Sequence, residues 1–150
     1  MRTVGRKTGA QLLPGLHALF GDYDYELLRS PRTGWGLSPV RDFQGLNVTI
    51  PYKTTMLAIC DDLTETAATI GSVNTVLKQL DGSLLGDNTD AAGFEGMVWE
   101  EPHPHPGPEV LVLGSGGASL SAQYVLRKLG AGEVVVISRT GENNYDNLDR

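Results

Sequence analysis

VLVLGSGGAS, residues 110–119, decides the fold of the second half of this chain. Its first four residues are wholly apolar, which is typical of a parallel strand buried on both faces. Three glycines follow, and the stretch from Ala118 to Leu129 then has helical periodicity. Val134 to Ile137 is a second wholly apolar strand. Strand, glycine turn, helix and strand within about 30 residues predict a parallel βαβ unit. The residues expected on the buried face of its helix are Ala118, Ala122, Val125, Leu126 and Leu129.

The glycine run stands where a dinucleotide-binding turn requires it. In a Rossmann unit, one glycine allows the tight turn after the strand and another allows the close approach of a pyrophosphate. The start of the following helix offers free N–H groups and a partial positive charge to those phosphates. The alternative is a tight turn that binds no ligand. The predicted cofactor-binding residues of the turn are Gly114, Ser115, Gly116, Gly117 and Ala118.

The end of the second apolar strand favours NADP over NAD. An acidic residue about 20 residues past the turn would bind the ribose 2′-hydroxyl of NAD. Here the segment reads Ser138-Arg139-Thr140 and contains no acid. Arg139 can pair with a 2′-phosphate, and Thr140 can donate a hydrogen bond to it. The alternative for Arg139 is an ordinary surface arginine.

A proline-rich segment divides the chain. Residues 101–108 read EPHPHPGP, and four prolines in eight residues exclude a helix or a central strand. We therefore expect a first domain over residues 1–100, a linker over 101–108 and part of a Rossmann domain over 109–150. His103 and His105 lack a third metal ligand, so no metal site is expected in the linker.

The first domain is expected to alternate short strands and helices. Thr3-Val4-Gly5 offers little for a strand to pair with, and Ser30 to Pro39 is typical of a loop. Asp81-Gly82 predicts a hairpin turn into Leu84-Leu85. The predicted strands are Tyr23–Leu28, Leu46–Ile50 and part of Ser72–Leu80. The predicted helices are Gly9–Phe20 with a break near Pro14 and Gly15, Pro51–Cys60, Glu65–Ile70, and one from Asn88 or Thr89 to Trp99.

Composition limits the classes of function. The net charge of −6 argues against nucleic acid as a partner, because phosphate binding requires clustered lysine and arginine. No apolar run approaches the roughly 20 residues of a membrane helix, and the N-terminus lacks the apolar core of a signal peptide. Cys60 is the one cysteine, and its apolar neighbours predict a buried thiol. A soluble, cytoplasmic protein is therefore expected.

Three polar residues of the first domain are unusual for their predicted positions. Lys53 falls in the first turn of a predicted helix, where the helix dipole disfavours a cation and suits acid/base chemistry. Asn74 interrupts a strand-like run, although asparagine is rare in strands. Asp90 stands beside a helix start, where capping is its ordinary role. Taken singly, each residue is more often structural than functional.

Four motifs resemble the shikimate dehydrogenase family, in that family's order and at similar spacing. They are GLNVTIPYK (residues 45–53), GSVNT (71–75), GDNTD (86–90) and GSGGAS (114–119). The resemblance runs from about Asp22 to the end of the chain. It implies a three-layer α/β substrate domain followed by the first βαβ unit of a Rossmann NADP-binding domain. It also implies the reduction of 3-dehydroshikimate to shikimate with NADPH, in the aromatic amino-acid and chorismate pathway.

The resemblance assigns a role to each matching residue. It implies that Lys53 is the catalytic lysine and that Asp90 is its carboxylate partner. An ammonium–carboxylate pair can act as acid and base, because hydride leaves a carbinol carbon only as the hydroxyl proton is taken. The remaining implied contacts are Thr49 and Asn74 with ring hydroxyls, Glu65 with the nicotinamide end of the cofactor, and Gly114–Ala118 and Ser138–Thr140 with its phosphates.

Two departures from the family stand out. The family's Ser-x-Ser pair for the substrate carboxylate is replaced by Gln11-Leu12-Leu13, and each lost hydrogen bond to that charge costs about 1.5–3 kcal/mol. The family also continues beyond the position of Arg150, so a truncated dehydrogenase of doubtful activity is expected. A non-catalytic remnant or partner-binding fragment and a quinate-type polyol dehydrogenase are the alternatives. The oligomeric state stays open.

Overall fold

The computed structural model of the chain describes residues 2–5, 13–29, 43–100, 107, 109–139 and 144. The chain forms two compact units, Met1–Asn88 and Thr89–Arg150. The segment Ser30 to Pro39 and most of the linker lie outside the described residues, so the loop and the domain boundary near the linker stay predictions.

A mixed sheet organises the first unit. Its six strands lie in the order β2-β1-β3-β5-β6-β4, with β1 parallel to both of its neighbours and β5 antiparallel to β3 and β6. The two-residue β4 is parallel to β6. The strands are β1 (Arg2–Gly5), β2 (Glu26–Arg29), β3 (Gly45–Val48), β4 (Asp62–Leu63), β5 (Thr75–Lys78) and β6 (Leu84–Asp87). The helices are α1 (Leu13–His17), a 3-10 helix (Thr55–Ala58) and α2 (Glu65–Ile70).

The first strand corrects an expectation. Thr3-Val4-Gly5 lies in β1, which pairs with β2 from Arg2 opposite Glu26 and with β3 from Arg2 opposite Leu46. The expectation of little pairing was wrong, because a short strand is stabilised by backbone hydrogen bonds from neighbours that are distant in sequence.

The core of the first unit lies where β3 and β5 meet the 3-10 helix and α2. Leu46, Met56, Val73 and Val76 are essentially inaccessible to solvent, and each such side chain contributes about 1.5–3 kcal/mol through burial. Cys60 packs against this cluster and is half-buried, so the predicted burial of its thiol is only partial. Burial, reinforced by the charge of Asp61, raises the pKa of the Cys60 thiol to about 11, so it stays protonated near neutral pH.

Local sequence signals correctly placed α2 and the hairpin. Thr64 caps α2 because its Oγ1 accepts from the Ala67 N–H at 3.2 Å. The helix spans the predicted residues and ends at Gly71, whose φ of 70° favours glycine. In the hairpin between β5 and β6, Asp81 Oδ1 accepts from Ser83 N at 2.9 Å and from Ser83 Oγ at 2.7 Å.

Two helix predictions need correction. The α-helix expected over Pro51–Cys60 is replaced by a turn and the 3-10 helix, and the Ile50–Pro51 peptide is cis. Burial of Met56 in the core accompanies this tighter winding. In α1 the predicted break is wrong, because the helix contains both Pro14 and Gly15. Pro14 falls in the first turn, where the missing N–H costs no intrahelical hydrogen bond.

The second unit contains the predicted βαβ arrangement. Its elements are α3 (Asp90–Glu100), β7 (Glu109–Leu113), α4 (Gly117–Lys128) and β8 (Glu133–Ile137). The two strands are parallel and in register from Glu109 opposite Glu133 to Leu113 opposite Ile137. Lys128 Nζ donates to Glu95 Oε2 at 2.8 Å, which ties α4 to α3.

Burial in this unit differs from the expectation in two ways. Leu111 and Leu113 are 56% and 70% exposed, because α4 covers only one face of the two-stranded sheet in the described part of the chain. On α4, Val125 and Leu126 are buried as predicted, whereas Ala118 is exposed and Ser119 is buried. Ser119 tolerates burial because its Oγ accepts from Gln123 Nε2 at 3.1 Å.

Replacement of Gly86 by alanine is expected to lower the free energy of unfolding by about 1–3 kcal/mol. A Cβ at this position would lie 2.8 Å from Leu63 Cδ2 and 2.9 Å from Cys60 Sγ, so the packed core has no room for it. Urea denaturation measures the effect. Gly96→Ala is the control, because its Cβ meets nothing within 4 Å and should stabilise α3 by about 0.5–1 kcal/mol. Equal effects of the two substitutions would contradict the packing argument.

Candidate functional site

Backbone hydrogen bonds bring three predicted site residues into one part of the first unit. Val48 N donates to Asn74 O at 2.7 Å, and Val73 N donates to Lys53 O at 2.9 Å. Thr49 follows Val48 directly, so Thr49, Lys53 and Asn74 lie on adjoining segments beyond the end of β3. All three are half-buried, which suits groups that contact a ligand.

The local structure of Lys53 changes the argument for its role. Lys53 lies in the turn before the 3-10 helix and not in the first turn of an α-helix. The helix-dipole argument therefore does not apply. The predicted acid/base role now rests on the position of Lys53 beside Asn74 and on its match to the family motif.

Asn74 precedes β5 and does not interrupt it. Its backbone N donates to Asp87 O at 3.0 Å, and its Oδ1 accepts from Thr75 Oγ1 at 2.9 Å. Because Asn74 lies outside the strand, the low strand propensity of asparagine does not count against β5. Asp87 O binds the backbone of Asn74, and Thr75 Oγ1 binds its side-chain amide.

Asp87 forms a hydrogen-bond network that no sequence pattern predicted. Its Oδ1 accepts from Thr64 Oγ1 at 2.6 Å and from Asn88 N at 2.8 Å. Asn88 Nδ2 in turn donates to Ser72 O at 2.8 Å, so this side chain supports the sheet end. Glu65, predicted to lie near the nicotinamide, follows Thr64 and is exposed. The capping signal at Thr64 was visible in the sequence, but its partner 23 residues away was not.

Asp90 is the first residue of α3 and is half-buried. It belongs to the second unit, whereas Lys53 belongs to the first. Their convergence on one alcohol therefore stays a prediction.

Replacement of Ser72 by alanine is expected to raise the free energy of unfolding by about 1 kcal/mol. Ser72 is fully buried, and its Oγ has no hydrogen-bond partner among the described residues, so the hydroxyl loses its hydration on folding without compensation from them. Thermal or urea denaturation measures the change. The matched substitution Thr64→Ala removes a hydroxyl that has two partners and should destabilise the protein; a loss of stability in both variants would contradict the reasoning on Ser72.

The predicted phosphate turn lies at the carboxyl edge of the two-stranded sheet. Gly114 has a φ of 112°, which favours glycine, and its N donates to Ile137 O at 2.7 Å. This bond places the glycine turn beside Ser138 and Arg139, which follow β8. Ser138 is buried and Arg139 is exposed, whereas Thr140 lies outside the described residues.

The geometry of the turn fits a bound pyrophosphate. Added Cβ atoms at Gly114 and Gly116 would meet no atom of the described residues within 4 Å, so the turn has room for a ligand on that side of these residues. Ser115, Gly116 and Ala118 are exposed, and Gly117 begins α4. Gly116 caps this helix and has no side chain, so the N-cap residue itself does not occupy the first N–H groups of the helix, which suit an anion.

His17 is part of an aromatic cluster next to β3, and it is partly buried. Its Nδ1 lies 2.6 Å from the Tyr23 hydroxyl, and its ring stacks on Tyr25 with a centroid separation of 4.0 Å. Asn47 Nδ2 lies 3.1 Å from His17 Nε2 and donates to the Tyr25 hydroxyl at 2.9 Å. Within the segment Gln11-Leu12-Leu13, which stands in place of the family's Ser-x-Ser pair, Gln11 and Leu12 lie outside the described residues and Leu13 begins α1.

The described ranges contain neither a cluster of metal ligands nor a membrane-spanning helix. Those ranges contain no group of three or more His, Cys, Asp or Glu residues arranged to hold a metal ion. His103 and His105 fall outside them. None of the described helices has both the length and the hydropathy that crossing a bilayer requires.

Comparison with protein families gives a match in the first unit. Residues 28–76 match the family described as the shikimate dehydrogenase substrate binding domain. This range contains Thr49, Lys53, Glu65 and Asn74.

Two curated relatives carry the name shikimate dehydrogenase (NADP(+)). The chain is 35% identical to the protein of Thioalkalivibrio sulfidiphilus over 148 residues, which cover 92% of this chain and 54% of that protein. It is 44% identical to the protein of Caldicellulosiruptor bescii over 101 residues, which cover 67% of this chain and 35% of that protein. The chain therefore spans about half, or less, of the length of these relatives.

Solved structures give the same fold. Shikimate 5-dehydrogenase from Thermus thermophilus, in complex with NADP(H) and shikimate, aligns with a TM-score of 0.77 at 38% identity and covers 95% of this chain and 56% of that one. Quinate dehydrogenase from Corynebacterium glutamicum, in complex with NAD, aligns with a TM-score of 0.74 at 29% identity and covers 92% of this chain and 54% of that one. These likenesses confirm the predicted order of an α/β substrate domain and a Rossmann-type region.

Proposed function

We propose that this chain supplies the substrate pocket and the cofactor turn of an NADP-dependent shikimate dehydrogenase. It resembles that family in sequence and in fold over about half of the relatives' length. The observation that carries the proposal is the meeting of Thr49, Lys53 and Asn74 beyond the end of β3. The proposed reaction is the reduction of 3-dehydroshikimate to shikimate, in cytoplasmic biosynthesis of aromatic amino acids.

The polar residues of the first unit suit a polyhydroxylated ring. Thr49 and Asn74 can donate and accept hydrogen bonds, so they can bind and orient ring hydroxyls. Lys53 would hold the proton that moves to or from the reacting oxygen, and Asp90 would keep the lysine in place as its carboxylate partner. A ring oriented in this way would present one face of the reacting carbon to the cofactor. The ring hydroxyls would replace the water that hydrates Thr49 and Asn74.

The second unit would hold the cofactor, which supplies or receives the hydride when it is bound. The N–H groups at the start of α4 would bind the pyrophosphate beside Gly114, Ser115 and Gly116. Ser138, Arg139 and Thr140 would lie near the adenosine ribose. Arg139 follows the second strand and is exposed, which leaves its guanidinium available for a 2′-phosphate. Glu65 would contact the nicotinamide end.

The experiment separates binding from turnover. Calorimetry with the purified chain is expected to show saturable binding of shikimate, and the absorbance of NADPH reports shikimate-dependent reduction of NADP. Binding with turnover establishes the dehydrogenase, whereas binding without turnover supports a pocket that needs further parts of the family's fold. Absence of both leaves the non-catalytic, partner-binding fragment as the function of the chain.

A second candidate substrate is quinate. The likeness to a quinate dehydrogenase favours it, as does the replacement of the family's serine pair by Gln11-Leu12-Leu13. Quinate has a hydroxyl on the carbon that bears the carboxylate, where shikimate has a ring double bond, and this carbon lies close to where that pair would bind. Parallel titrations with shikimate and quinate decide between them, since the preferred substrate binds more tightly.

A further inference from the structure

Asp87 connects the segments on which the proposed site depends. Its Oδ1 accepts from Thr64 Oγ1 at 2.6 Å and from Asn88 N at 2.8 Å. Its backbone oxygen accepts from Asn74 N at 3.0 Å. Asp87, at the end of β6, therefore forms hydrogen bonds with three segments. Its partners are Thr64, which precedes Glu65, the proposed substrate ligand Asn74, and Asn88, which lies two residues before Asp90.

Side-chain hydrogen bonds add to the backbone ladder at the end of β6. Thr64 Oγ1 donates to the carboxylate and also accepts from Ala67 N at 3.2 Å, so the hydroxyl joins the cap of α2 to β6. Hydrogen bonds to an ionised carboxylate are shorter and stronger than those between neutral groups. Asp87 is half-buried, which reduces the competition from water.

We propose that Asp87 is a positioning residue of the proposed shikimate site, acting through Asn74 and Asn88. The carboxylate fixes the end of β6 against Thr64 Oγ1 and Asn88 N. The backbone oxygen of the same residue accepts from Asn74 N, so a displaced end of β6 would displace the backbone that carries the Asn74 side chain. The substrate contacts Asn74, and Asp87 itself needs no contact with it. The ligand-binding part of this inference rests on the proposed function.

The test compares two substitutions of Asp87. Asp87→Asn keeps an oxygen that can accept from both Thr64 Oγ1 and Asn88 N, whereas Asp87→Ala removes it. We expect Asp87→Ala to raise the dissociation constant of shikimate about tenfold and Asp87→Asn to change it by less than about threefold. Two-dimensional NMR should show displaced Asn74 side-chain and Asn88 backbone amide resonances in the alanine variant and near-native positions in the asparagine variant.

Asp81→Ala is the matched control. Asp81 Oδ1 also accepts from one backbone N–H and one hydroxyl, both of Ser83, but it lies in the β5–β6 hairpin turn at the other end of these strands. This substitution should leave shikimate binding and the Asn74 resonances unchanged. If Asp87→Ala does not fold, Thr64→Val replaces it, because it removes the hydroxyl that binds the same oxygen.

The outcomes separate the two proposals. A folded Asp87→Ala variant with native Asn74 resonances and native shikimate affinity overturns the positioning role, even when its stability is reduced. If the unsubstituted chain does not bind shikimate, the proposed function fails, and the Asn74 and Asn88 resonances alone decide whether Asp87 positions these residues.

Discussion

Replacement of Lys53 by alanine is expected to lower kcat/KM for shikimate by a factor of about 100 to 10,000, the usual contribution of a positioned acid/base group. The hydroxyl proton must leave as hydride leaves the carbon, and without the amine the proposed pair of Lys53 and Asp90 lacks the group that takes this proton. Lys53 is half-buried and its backbone oxygen accepts from Val73 N at 2.9 Å, so its position beside Asn74 is fixed by the fold. Initial rates of NADPH formation measure the effect.

The control for this substitution is Lys78→Ala. Lys78 is an exposed lysine of β5, outside the proposed pocket, so the same loss of charge should leave the rate nearly unchanged. If the unsubstituted chain binds shikimate without turnover, calorimetry replaces the rate measurement. We then expect the Lys53→Ala variant to bind shikimate more weakly than the unsubstituted chain. Equal rates or affinities for the Lys53 variant and the unsubstituted chain would remove Lys53 from the mechanism.

Replacement of Arg139 by alanine is expected to weaken the binding of NADP about 10- to 100-fold, because a charge-assisted pair with a phosphate contributes about 1.5–3 kcal/mol. The binding of NAD, which lacks the 2′-phosphate, should change little. Gly114 N is bonded to Ile137 O at 2.7 Å, which places Arg139 near the proposed phosphate turn. Titrations of the chain with NADP and NAD measure both affinities.

Arg127→Ala is the matched control for Arg139. Arg127 is an exposed arginine in the last turn of α4 that donates to Gln123 Oε1 at 3.2 Å, so its removal tests the general effect of one lost positive charge. Identical losses in the two variants, or equal losses for NAD and NADP in the Arg139 variant, would identify Arg139 as an ordinary surface residue.

Elements with strong local signals were predicted well. The span of α2 follows from a capping threonine at one end and a glycine at the other, and the hairpin follows from Asp81-Gly82. The βαβ unit follows from two wholly apolar runs on either side of the glycine turn. For α2 and the hairpin, the deciding interactions join residues close together in sequence. For the βαβ unit, the order and spacing of strand, glycine turn, helix and strand specify the parallel pairing.

Predictions failed where packing with distant residues decides the structure. The run from Pro51 to Cys60 has helical features, yet it forms a turn and a 3-10 helix around a buried Met56. The apolar residues of β7 predicted burial on both faces, but Leu111 and Leu113 are exposed, because burial depends on which layers cover a strand. Sequence periodicity contains no information on that covering layer.

The sequence by itself determined the α/β class, the βαβ unit with its glycine turn and the motifs that resemble those of shikimate dehydrogenases, because short-range signals and residue spacing specify these features. Only the tertiary structure decided that Thr49, Lys53 and Asn74 adjoin and that Asp87 joins Thr64 to the end of β6. The physical reason is that these hydrogen bonds connect segments about 20 or more residues apart, and their partners are chosen by strand pairing and core packing.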